Sequence, residues 1–420
     1  MENPRRFIRI WLTTLAGLAA LVVMVNLLVD PYDVFGTPRI AGISTFKPKA
    51  DDHPMLAKTY QVARVRPATV VIGTSVADIG IDASDPVWPQ AMRPVYNFGI
   101  PGSTAIGNLE TLQEAVATGA IENAIVFLDF DNFLIPQPPG KTLSDDEQRL
   151  HGLLGGAPNA SRPMQVAEDM FLSTATMRAL NDSVTTVVQQ WVPDPSDMAS
   201  DGSSIKQEFV TAAQTEGMHN LFAQKDVYDA ERMGTVAHVL AASNGPTANL
   251  DTVAAIIAFT RAHGVKLTLA ITPRHSDELE IYWHLGLWPR VEQFKTELAA
   301  LVATQGNGVR LWDFMDYSAF TTEPVPPEGD LRTATRWFWD PNHFKRALGR
   351  IMVAQILGED APAFGVVLTP DNVAQRNAAV RAQRQAFVCG NSAVLAAASD
   401  RPTTDGCVAV ETAAKQRGPT

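Results

Sequence analysis

The sequence predicts an α/β fold: a parallel sheet covered by helices on both faces, interrupted by a helical insertion and preceded by one membrane-spanning helix. Three observations carry this expectation. Short runs of β-branched and apolar residues alternate with helical patterns, as strands buried on both sides do. One long stretch breaks that rhythm with helical pattern alone. The chain also opens with an uncharged, mostly apolar run of twenty residues.

That run, Ile10 to Val29, would span roughly 30 Å as a helix at about 1.5 Å per residue. Arg5, Arg6 and Arg9 precede it, and Asp30 and Asp33 follow. The positive-inside rule then keeps residues before the span in the cytoplasm and exports the rest, as in a single-pass protein of a bacterial inner membrane with a periplasmic domain. A cleaved signal peptide is the alternative. The run is longer than a usual signal core, and VNLLVDPY offers no small-x-small cleavage site.

Residues 31–65 read as a polar juxtamembrane segment. The first strand is Ala68–Gly73, the second Val95–Phe98, followed by a helix over Thr104–Thr118. Ala124–Phe130 is the third strand. A helix from about Asn249 precedes the fourth, Val265–Thr272, and a helix near Arg290–Thr304 precedes the fifth, Val309–Asp313. Residues 137–245, rich in Ser, Asp and Met, form the helical insertion within a domain spanning 66–360. Residues 361–420 read as one helix and a loosely ordered tail.

Composition narrows the partners. A formal charge of −11 argues against nucleic acid, which calls for a basic face. Eight Trp and eighteen Phe supply a core that needs no disulfide framework. The two cysteines, Cys389 and Cys407, either pair in an oxidising compartment or stand as separate thiols. No CxxC motif or Cys/His cluster points to a metal, no cofactor is expected, and no glycine-rich loop ending in Lys is present to cradle phosphates.

In a doubly wound sheet, ligands bind beyond the carboxyl ends of the strands. Ser75 follows Gly73-Thr74 there, at a strand-to-helix turn that can expose a nucleophilic hydroxyl; it can equally be a helix cap. In Asp340-x-x-His343 a carboxylate can reach its neighbour's imidazole, fix the tautomer and leave the other nitrogen as a base. Asp340 as N-cap of a helix starting near Pro341 is compatible with that role. His275 and Arg274 follow the fourth strand on the same rim, as substrate contacts or as solvated loop residues. Trp288, Trp312, Trp337 and Trp339 are candidates for the floor of a sugar site, Trp312 also for the core.

The order of these motifs resembles the four blocks of SGNH (GDSL-like) hydrolases: VVIGTSVADIGID, VYNFGIPGST, IVFLDFDNF and FWDPNHF, over roughly residues 66–360. The resemblance implies a flavodoxin-like three-layer α/β/α sheet with Ser75 as nucleophile, His343 as base and Asp340 as its orienting acid. It implies an oxyanion hole from Gly102 and Asn132, with Asp131 and His275 as substrate-binding residues. Two blocks depart from the pattern. Gly73-Thr74-Ser75 stands where the family has Gly-Asp-Ser, and Asp129-Phe130-Asp131-Asn132 where it has Gly-x-Asn-Asp. An anchor first and D-x-x-H last is similar to the D-alanine transfer protein of teichoic-acid modification, and loosely to alginate O-acetylation proteins. The function so implied is a membrane-anchored serine esterase or O-acyltransferase. Its substrates would be acyl esters of an envelope polysaccharide or glycolipid. The alternative is a catalytically degenerate component binding other polysaccharide-modification proteins.

Overall fold

Two layers of helix enclose a sheet whose strands bury both faces, and the alternation of side chains along each strand decides which core each residue enters. The structure, a computed structural model, describes residues 4–136, 153–154, 157–193, 195–241 and 245–390. Helix α1 (Pro4–Val29) leads into α2 (Pro48–Asp52) and α3 (Pro54–Val65). Then come β1 (Thr69–Gly73), α4 (Ser75–Gly80), β2 (Val95–Gly99), α5 (Ala105–Ala117) and β3 (Asn123–Leu128). The inserted stretch holds β4 (Leu153–Leu154), β5 (Ala157–Pro158), α6 (Arg162–Thr174), α7 (Met177–Gln189), β6 (Asp197–Met198), β7 (Ser204–Ile205), α8 (Gln207–Thr215) and α9 (Met218–Ala241). The alternation resumes with α10 (Leu250–Ala262), β8 (Lys266–Ile271), α11 (Ser276–His284), α12 (Trp288–Gln305) and β9 (Arg310–Asp313). It closes with α13 (Arg346–Leu357), β10 (Val366–Val367) and α14 (Val373–Gly390).

The main sheet runs β10-β9-β8-β3-β1-β2. Its five long strands are parallel, and only β10 pairs antiparallel. Val70, Ile72, Val126, Leu128, Leu269 and Ile271 pack with Leu112 of α5, Ile256 of α10 and Leu298 of α12. The alternate residues Val71, Ile125, Phe127 and Ala270 pack on the other face with Val76 of α4 and Met352 of α13. The period of two that defines a strand therefore divides the apolar residues between two cores. The order of the parallel strands reverses between β1 and β3, so the loops after these two strands flank the crevice where doubly wound sheets bind ligands.

Three expectations are corrected. Residues 31–65 are not merely a polar connection: α2 and α3 each begin with a proline in the first turn, and Met55, Ala57 and Val62 of α3 are buried. The sheet is mixed rather than wholly parallel. A two-residue strand at 366–367 is too short to carry a pattern of its own, and it joins the sheet only through β9. Residues 361–390 therefore contribute a strand as well as a helix. Part of the expected insertion, the tail from 391 and Cys407 lie outside the described residues. Helix α1 is long and apolar enough to cross a membrane, the one such helix among the described residues.

Candidate active site

Strand β1 is buried along its length and delivers Ser75 to the first position of α4. The helix cap is Thr74, whose Oγ accepts from the Val76 N–H, so capping is not the role of Ser75. Ser75 Oγ lies 2.9 Å from His343 Nε2. The other ring nitrogen, Nδ1, lies 2.8 Å from Asp340 Oδ2.

The Asp340–His343 segment is a closed turn rather than a helix start. Phe338 and Phe344 bridge across it, the Trp339 N–H donates to the His343 carbonyl, and α13 begins only at Arg346, after Lys345. The expected N-cap role of Asp340 is therefore corrected. Its Oδ1 accepts the N–H groups of Asn342 and His343, each at 2.8 Å, so one carboxylate shapes the turn and orients the imidazole. Burial works against ionisation of Asp340. The adjacent imidazole and the two N–H donors outweigh it and hold the carboxyl below its ordinary range.

Behind the triad sits a hub that the sequence did not reveal. Asp129, at the end of β3, accepts from Thr74 Oγ at 2.6 Å, from Thr272 Oγ at 2.7 Å and from Arg274 at 2.9 Å. Arg274 is buried, not solvated, and its guanidinium also reaches the Asn342 carbonyl in the His343 turn. The ends of β1, β3 and β8 and the imidazole turn are thus tied to one carboxylate. Thr74 of the first motif and Asp129 of the third meet in this hub.

His275 lies beneath the site rather than on its rim. It is 2% exposed, its Nε2 bonds the Glu323 carbonyl, and its Nδ1 accepts from the Asp277 N–H as the cap of α11. Its own N–H donates to the Pro341 carbonyl, again bracing the turn. With both ring nitrogens engaged by backbone, His275 offers a substrate neither donor nor acceptor in this arrangement. Asp131 is engaged too: Arg232 of α9 and the Tyr282 hydroxyl each take one carboxylate oxygen. Arg232 and Arg274 hold it below its usual range despite burial.

Gly102 follows β2 with φ of +73°, a backbone conformation glycine adopts without penalty, and a Cβ there would meet nothing within 4 Å. Asn132, in the short turn after β3, donates from Nδ2 to the Ser103 carbonyl at 3.3 Å and so joins the second loop to the third. The four tryptophans do not gather. Trp288 stacks on Trp283, Trp312 on Phe314, and Trp337 packs on Phe320. Trp339 alone adjoins the imidazole turn, with Phe209 of α8 lying 5.5 Å from the His343 ring. The insertion therefore walls the triad through Phe209, a contact between distant segments with no local sequence signal. Lys345 Nζ sits over the Trp339 ring, and burial lowers its pKa to about 8. Among the described residues no cluster of His, Cys, Asp and Glu is arranged to hold a metal.

No protein-family model matches the chain, and no curated protein matches it in sequence.

Proposed function

We propose that this chain is a membrane-anchored serine esterase or O-acyltransferase of the SGNH type, with a flavodoxin-like sheet. It would act outside the cytoplasm on acyl esters of an envelope polysaccharide or glycolipid. The observation that carries this reading is the unbroken relay from Ser75 Oγ through His343 to Asp340, drawn from residues on opposite sides of the insertion. As Ser75 Oγ attacks the ester carbonyl, His343 Nε2 takes its proton, while Asp340 keeps the other ring nitrogen protonated and steadies the imidazolium. The carbonyl oxygen becomes an oxyanion received by the N–H groups of Ser75 and Gly102 and by the Asn132 amide. Collapse expels the alcohol, which takes the proton from His343. Water or a sugar hydroxyl then attacks the acyl-serine by the same route in reverse.

The parallel-strand order, 2-1-3-4-5 in chain order, supports the flavodoxin-like assignment. The Thr74–Asp129 bond supports a working site despite the two altered blocks, because one changed residue of each block pairs with the other. The length and apolarity of α1 support an anchor, and Arg5, Arg6 and Arg9 before it support a cytoplasmic start. The test is p-nitrophenyl acetate turnover by the full-length protein in detergent, beside Ser75→Ala. Serine-dependent release of p-nitrophenol is expected. Equal rates for the two proteins would refute the reading.

A further inference from the structure

Helices α6 and α7 are amphipathic the wrong way round for a surface facing water. A water-exposed surface helix turns its apolar stripe inward and its polar residues outward. Helix α7 buries Asp182, Ser183 and Thr186 together with Ala179, and exposes Met177, Val184 and Val188 with Asn181 among them and Arg178 beside them, and Trp191 just beyond its end. These exposed positions recur at helical spacing and so share one face. Helix α6 likewise buries Asp169 and Ser173 and exposes Met164, Met170, Phe171 and Leu172, with Glu168 the one charged residue on that exposed face. Phe171 is 60% and Trp191 79% exposed. The inward polar groups have partners: Tyr32 donates to Asp182 at 2.5 Å, and Tyr60 to Asp169 at 3.0 Å.

Both helices pack on the end of α1, and hydrogen bonds tie that end down. The buried Asn26 donates to the Thr174 carbonyl at 2.8 Å and accepts from Ser183 Oγ at 2.8 Å, joining all three helices. Lys47, fully buried, donates to the carbonyls of Val29 and Asp30 and caps the helix terminus, where a cation is favoured. The Asp30 carboxylate receives the N–H groups of Val34, Phe35 and Thr37, so the chain leaves α1 in a tight turn rather than a flexible tether. Leu27 and Leu28, in the same turn of α1 as Asn26, are exposed. The exposed apolar residues of α1 thus run up to the turn on which α6 and α7 pack.

We infer that α6 and α7 lie in the bilayer surface, their outward faces seated at the headgroup–acyl boundary of the leaflet into which the end of α1 emerges. The occupant of these faces is lipid. Amphipathic helices bind this boundary with Phe, Leu and Trp on the buried side, and the hydrogen-bonded exit of α1 places the pair there. The consequence is a fixed orientation of the catalytic crevice over the membrane. The inference rests on α1 being the membrane span, and its test separates the two.

Dansylalanine is introduced by amber suppression at Leu18, Phe171, Val188 or Val366, all exposed positions, in the full-length protein. Each variant is reconstituted into phosphatidylethanolamine–phosphatidylglycerol vesicles with acyl chains brominated either near the headgroup or near the chain end. Leu18 reports the span, and Val366, on the far edge strand β10, reports the aqueous domain. Phe171 and Val188 are expected to lose fluorescence to the shallow bromines with a blue shift, Leu18 to be quenched by the deep ones, and Val366 by neither. If Leu18 is quenched while Phe171 and Val188 behave like Val366, the interfacial seat is wrong although the span stands. If Leu18 also escapes quenching, the span itself is wrong and the inference falls with it.

Discussion

Exchanging the Asp340 carboxylate for an amide keeps its size and removes the charge that fixes the His343 tautomer. Asp340→Asn retains an oxygen for the Asn342 and His343 N–H groups, so the turn should survive while the proposed esterase turnover falls by about 10⁴-fold, the loss typical of this change in a triad. The measurement is kcat/KM on p-nitrophenyl acetate with circular dichroism as a folding control; loss of less than tenfold would remove Asp340 from the relay. A second carboxyl, Asp226 of α9, has a buried Oδ1 with no hydrogen-bond partner. Burial, then the nearby Asp277 charge, raises its pKa from 3.8 to about 7. The folded state therefore holds the proton more tightly than the unfolded chain. The resulting stability is full below about pH 4 and is lost as pH rises towards 7. Asp226→Asn should stabilise the protein at pH 8 by on the order of 1–2 kcal/mol and leave it nearly unchanged at pH 4, read from urea midpoints. A gain equal at both pH values would contradict the shift. Ser75, Asp340 and His343 were legible because each follows a strand or a turn motif in the chain itself. Asp129 and Arg274 were not, because their roles arise from contacts among residues far apart in sequence.

The elements hold Ser75 through a clasp on α4. Asn97 of β2, wholly buried, donates to the carbonyls of Ala77, Asp78 and Ile81, and its own oxygen accepts the Gly99 N–H. One amide thus satisfies the end of a helix too short to persist alone. Beside it, a Cβ on Gly99 would come within 2.6 Å of the Asp78 backbone nitrogen, so strand and helix approach through a glycine. Asn97→Ala takes a donor away from all three carbonyls, of which only that of Ala77 keeps a second one, the Ile81 N–H, and should cost about 2–3 kcal/mol, seen as a lower urea midpoint; an unchanged midpoint would show the clasp to be dispensable. Element positions were readable wherever apolar residues formed a run of their own: the five parallel strands lie within a residue or two of where the sequence places them. Strand β10 and helix α3 escaped notice for physical reasons. Two residues carry no period, and the buried face of α3 includes Lys58, Thr59 and Gln61 beside its apolar residues. Lys58 is neutralised there by Asp78 at 2.6 Å, a pairing only the fold creates.

Across the whole molecule, α14, the last helix among the described residues, is bound to the sheet by charge. Asp313, at the end of β9, is wholly buried between Lys295 of α12 and Arg376 of α14, at 2.8 and 2.9 Å. Burial opposes its ionisation, but the two cations prevail and hold its pKa below the ordinary value. The stability it supplies is therefore present above about pH 4 and is lost as pH falls through the depressed folded value. Asp313→Asn should destabilise the protein by about 3 kcal/mol at pH 7, and the gap from wild type should close as both are titrated into acid. A gap that widens in acid would reverse the sign of the argument. The insertion, legible only as a helical stretch, contributes the Phe209 wall beside His343, the Arg232 partner of Asp131 and the helices packed on α1. These long-range placements depend on how segments meet, which no single run of residues encodes.

The activated serine is the central claim, and covalent labelling of the full-length protein in detergent tests it most directly. A fluorophosphonate probe should form one adduct, located by peptide mass spectrometry at Ser75, absent in Ser75→Ala and strongly slowed in His343→Ala. An unlabelled, folded wild type, or an adduct that persists at another residue when Ser75 is Ala, would contradict it.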